Sequence, residues 1–71
     1  MDYQEIVARA KQAIIESDPT VTADDLDQFW AGGVMEIQRI LFRHKEKDIL
    51  YMVEANTMTE TFVAKKYLPQ V

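Results

Sequence analysis

TADDLDQFWAGGVMEIQRILFRHK, residues 22–45, is the stretch on which the reading of this chain turns. Thr22 with Asp25 three residues later is a helix-start pattern, and Val21 and Leu26 flank it as a hydrophobic staple. Asp24, Asp25 and Asp27 crowd the first turn, where a helix dipole favours negative charge. Leu26, Phe29, Trp30, Val34, Ile37, Ile40 and Leu41 then recur at helical spacing. The pattern predicts one long helix with Gly33 and His44 also on its core face. Gly32-Gly33 is its weak point, because an interior glycine costs about 1 kcal/mol relative to alanine. The pair predicts a bend, or one helix ending and another beginning. Gln28, Ala31, Met35, Gln38 and Phe42 form a second seam on the opposite side. A helix with two apolar sides is either central to its domain or shared with a partner. Ala31, Met35 and Phe42 are therefore the expected protein interface.

Upstream, Asp2 and Glu5 make another capping pattern. Tyr3, Ile6, Val7, Ala10, Ala13 and Ile14 follow it at i, i+3, i+4 and i+7, predicting a helix over Tyr3–Ser17. Asp18 precedes Pro19 and should be extended. Downstream the helical phase breaks. Ile49, Leu50, Tyr51, Met52 and Val53 form a continuous apolar run that fits a buried strand or a short helix. Thr57 and Glu60 cap a further segment, and Pro69 should end it. The expectation is helices over Asp48–Ala55 and Met58–Tyr67. The alternative is a hairpin, Ile49–Glu54 with Met58–Ala64 around Ala55-Asn56-Thr57, which the Thr57, Thr59, Thr61 series favours.

The chain has 71 residues and no cysteine. That length makes one domain over 1–71, too small to bury a generous core. Disulfides, thiolate metal sites and cysteine catalysis are excluded. Nothing approaches the roughly 18 consecutive apolar residues of a membrane span. The acidic N-terminus is unlike a signal peptide. The expectation is a complete, soluble, cytoplasmic gene product.

No catalytic constellation stands out. Asp18, Asp24, Asp25 and Asp27 do not fit a calcium loop, since Ala23 and Phe29 stand where glycine and glutamate belong. His44 is a lone histidine with no nucleophile arranged around it. No cofactor, metal site or enzyme activity is expected. Charge is unevenly spread. Residues 1–38 hold eight acids and two bases, and residues 39–71 hold four acids and six bases. Arg39, Arg43, Lys45 and Lys47 lie close together as a candidate patch for an anionic partner.

The stretch Thr22–Ile40 has a capped start, an L-x-x-F-aromatic pattern and small residues after it. It is similar to the central helix of the Hha/YmoA family of small bacterial gene-expression modulators. The resemblance implies an all-α interaction module that binds a nucleoid protein.

These readings combine into a small all-α domain of three or four helices with helix 2 central; the alternative is an α+β, winged-helix-like domain with a C-terminal hairpin. The expected function is a non-enzymatic protein-binding module, a homodimer that modulates or inhibits a larger partner, of viral or bacterial-regulator kind. The alternatives are a helix-turn-helix DNA-binding regulator and a structural subunit of a phage-like assembly.

Overall fold

A computed structural model of the protein describes residues 1–68. The chain runs through helix α1 (Tyr3–Ser17) and one 3-10 turn (Ala23–Asp25). Four strands follow: β1 (Leu26–Val34), β2 (Ile37–His44), β3 (Leu50–Asn56) and β4 (Thr61–Tyr67). The strands form a single antiparallel sheet in the order β1-β2-β3-β4. Helix α1 lies on one face, mainly against β3 and β4. This is an α+β fold, and the expected all-α bundle is overturned. The winged-helix alternative fails as well, because α1 is the only α-helix among the described residues. Strands do occupy most of its proposed C-terminal hairpin, but they continue a sheet that begins at Leu26. The expected role of Pro69 lies outside the described residues.

Helix α1 forms where local chemistry placed it. The Asp2 carboxylate accepts the Glu5 backbone N–H at 2.8 Å, an N-cap bond that satisfies one orphan donor. Ala10 and Ile14 are fully buried, with Ile6, Val7 and Ala13 packed beside them. Asp18 has left the helical region, at φ −141 and ψ 88, but stops short of the extended backbone expected before Pro19. Its carboxylate ties the helix end to the sheet, accepting from Thr20 Oγ1 at 2.6 Å, Lys66 Nζ at 3.2 Å and Tyr51 Oη at 3.4 Å. The Thr20 and Lys66 hydrogen bonds hold the Asp18 carboxyl down at about 2. Burial, then the Asp18 charge, pushes the Tyr51 phenol up.

The second capping signal is real but local. The Thr22 N–H donates to Asp25 Oδ2 at 2.9 Å, yet the helix stops after one turn and Leu26 is already extended, at φ −109 and ψ 125. That hydrogen bond lowers the Asp25 carboxyl. Asp25 O then accepts the Lys45 N–H at 2.9 Å, pinning the start of β1 to the end of β2.

Val34 pairs with Ile37, so Met35-Glu36 is a two-residue hairpin connection. Met35 takes φ 58, the left-handed region in which β-hairpin turns normally place Gly, Asn or Asp. The glycine pair serves this hairpin rather than a helix kink. A Cβ on Gly33 would stand 2.1 Å from the Ile37 carbonyl oxygen, so the opposing backbone closes only over glycine. A Cβ on Gly32 would meet the Trp30 indole at 2.7 Å; the ring lies over the glycine and shields it, as aromatics do for glycines in edge strands.

The core lies between α1 and the near face of the sheet. Leu26, Ile40, Phe42, Tyr51, Val53 and Ala55 are buried there, with Val21 from the loop. Phe62 and Ala64 of β4 pack against them. Successive strand residues alternate between faces, so the intervening residues point away from the helix.

Candidate functional site

The opposite face of the sheet has no covering element among the described residues. The register assembles it in rows across the four strands. One row is Trp30, Leu41, Met52 and Lys65. The next is Gly32, Arg39, Glu54 and Val63. Asp27, Arg43, Leu50 and Tyr67 make the third, and Val34, Ile37, Asn56 and Thr61 the fourth. An antiparallel sheet with one solvated face ordinarily alternates apolar-in with polar-out. Here about half of the outward positions are apolar too. Trp30 is 50% exposed, Val63 55% and Tyr67 49%.

A bulge sharpens this face. Register shifts between Gln28 and Trp30, leaving Phe29 as the extra residue of edge strand β1. Bulges re-aim side chains, and this one brings Phe29 out beside Trp30. The Arg43 guanidinium lies 5.3 Å from the Phe29 ring centroid, a cation–π contact. Arg39 Nε donates to Glu54 Oε2 at 3.2 Å across β2 and β3.

The residues singled out from sequence are scattered by this arrangement. Phe42 is 0% exposed and belongs to the core under α1. Ala31 is half-buried and packs against the same core. Met35 sits at the hairpin tip, 87% exposed. Ala31 and Phe42 thus share the face under α1, and Met35 stands apart from them at the hairpin tip, so the three form no exposed seam. Trp30 is likewise not a core residue. Of the basic patch, Arg39 and Arg43 share the outward face, while Lys45 and Lys47 lie in the β2–β3 loop. Lys45 approaches Asp27 at 3.9 Å. The residues missed as a surface are Trp30, Leu41, Met52 and Val63. Of these, the alternation of Tyr51, Val53 and Ala55 against Leu50, Met52 and Glu54 could have signalled Met52.

His44 is buried, and its Nδ1 accepts the backbone N–H groups of Glu46 at 3.0 Å and Lys47 at 3.1 Å. With Nδ1 as acceptor, the neutral ring carries its hydrogen on Nε2, which faces Asp25 Oδ2 at 3.9 Å. The ring thus shapes the β2–β3 loop. Among the described residues no group of three His, Cys, Asp or Glu is placed to hold a metal ion, and no helix is long and apolar enough to cross a membrane. An open cleft of about 260 Å³ lies between α1 and β4, lined by Arg9, Gln12, Ala13, Glu16, Glu60 and Phe62. Arg9 and Glu60 close across it at 2.9 Å.

No family model matches the chain, and no curated protein or solved structure matches it. The likeness of Thr22–Ile40 to the Hha/YmoA central helix fails on geometry, because those residues form a 3-10 turn, β1, a hairpin and half of β2.

Proposed function

We propose that this protein is a non-enzymatic binding module that docks another protein chain through the uncovered face of its sheet, modulating or inhibiting what it binds. The observation carrying this reading is the outward surface of Phe29, Trp30, Leu50, Val63 and Tyr67, all exposed, around the half-buried Leu41 and Met52. Contiguous exposed apolar surface marks interaction sites in soluble proteins. Interface cores are enriched in aromatics, Met and Arg, and this face supplies all three. The helix-turn-helix alternative loses its basis with one α-helix among the described residues. The buried side chain of His44, engaged by two backbone N–H groups, favours a structural role for the one histidine.

The test is site-specific photo-crosslinking in the native cell. A photoreactive residue in place of Met52, at the middle of the outward face, should give discrete protein adducts. One in place of Gln12, exposed on α1, should not. Equal labelling from both positions, or none from Met52, would refute the reading.

A further inference from the structure

We infer that the occupant of this face is a second copy of the same chain, the two sheets packing face to face about a two-fold axis parallel to the strands. The inference rests on the docking reading above and names its partner.

An axis running along the strands between β2 and β3 keeps each row in place and reverses the strand order. It sets β2 over the partner's β3 and β1 over the partner's β4. Leu41 then meets the partner's Met52, and Arg39 meets the partner's Glu54. Trp30 meets the partner's Lys65, and Gly32 offers a hollow to the partner's Val63. Every one of these pairings recurs by symmetry, as an isologous interface requires. Aligned sheets cross at about 30°, which displaces the outer columns by roughly one residue and leaves β2 and β3 almost in register.

Charge favours this axis over one perpendicular to the strands through the Arg39 row. Arg39 and Glu54 are 52% and 43% exposed at the side chain, so each keeps a free side beyond its 3.2 Å bond within the chain. Across the two-fold they close into a ring of two arginines and two glutamates. An axis perpendicular to the strands, run through their row, would oppose Arg39 to the partner's Arg39 and Glu54 to the partner's Glu54. Like-charge juxtaposition is strongly unfavourable at an interface. The acids behind the net charge of −4 lie mostly on α1, the 3-10 turn and the loops. The outward face itself carries Arg39, Arg43 and Lys65 against Asp27 and Glu54, so it does not repel its copy.

The area suffices for a reversible dimer. Strands of seven residues at ~3.4 Å and four strands at ~4.8 Å give a face of roughly 450 Å² in projection. Two copies cover roughly 900 Å², more once side-chain relief is included, which is the size of a weak, transient interface.

Sedimentation equilibrium across about 1–300 µM should show a monomer–dimer exchange that stops at two copies. Arg39→Glu and Glu54→Arg, each alone, should weaken the dimer by at least about 100-fold, as like charges then face each other. Mixing the two variants should restore association, as a one-to-one heterodimer. A parent monomeric throughout, growth beyond two copies, or single variants that still pair would overturn the inference. If a variant fails to fold, the photoreactive residue at Met52 in the otherwise unchanged chain decides. Self-adducts mapped to the β2 peptide containing Leu41 support it, and self-adducts on α1 overturn it. A monomeric parent whose Met52 position labels a different protein would sink the dimer and leave the docking module standing.

Discussion

Met35→Gly should stabilise this protein, although methionine is the better residue in almost any regular structure. Met35 holds φ 58 at the tip of the β1–β2 hairpin. For an L-residue the left-handed region costs about 1–2 kcal/mol, and glycine relieves that. Glycine returns about 0.4–1 kcal/mol to the unfolded chain as extra entropy. The side chain is 87% exposed, so little packing is lost. The net gain is about 0.5–1 kcal/mol, which in a domain of this size raises Tm by about 2–8 °C. Thermal and urea melts followed by far-UV circular dichroism, at matched protomer concentration, measure it. Met35→Ala is the control: it keeps the strain and should show no comparable gain. The sign is what matters. Were residues 22–45 a helix, the same glycine would cost about 1 kcal/mol. A Met35→Gly protein that melts lower than its parent would refute the hairpin.

Other expectations follow from the same geometry. Phe42→Ala should cost about 3–5 kcal/mol, the range for deleting a buried aromatic; a loss under about 1 kcal/mol in urea melts would place Phe42 outside the core. Gly33→Ala should destabilise by roughly 1–3 kcal/mol because its Cβ meets backbone at Ile37. Gly32→Ala meets only the Trp30 ring, so it should cost less and shift Trp30 fluorescence, and equal costs at the two glycines would contradict the packing. The Asp18 carboxyl is depressed from 3.8 to about 2, so its stabilisation is complete above about pH 4 and fades as pH falls towards about 2. Asp18→Asn should flatten that part of the urea-midpoint profile, and profiles of equal slope in the two proteins would rule the linkage out.

Some of this architecture is written in short-range chemistry. Asp2, Glu5 and the 3.6-residue stripe of Tyr3–Ser17 specify α1 because its bonds and its buried face are both contained within fifteen residues. Asp18-Pro19 specifies its end for the same reason. The capping pair Thr22 and Asp25 is equally local and equally real, but a cap starts a turn without guaranteeing the turns that follow. From there the sheet decides. Leu26, Phe29, Trp30, Val34, Ile37, Ile40 and Leu41 look like a helical stripe because both faces of β1 and β2 carry apolar residues, Leu26 and Ile40 towards α1 and Trp30, Ile37 and Leu41 away from it. A strand period is legible only when one face is polar. The hairpin at Met35-Glu36 carries no Gly, Asn or Asp at its tip, so nothing in those two residues announces a reversal. Its geometry is imposed by the pairing of Gly33 with Gln38 and Val34 with Ile37, and the strain at Met35 is outweighed by the ladder it closes. Whether an apolar side chain is core or surface was likewise settled by partners distant in sequence. Helix α1 can cover only one side of the sheet, and it covers Phe42, Tyr51 and Val53, leaving Trp30, Leu41 and Met52 on the side it cannot reach.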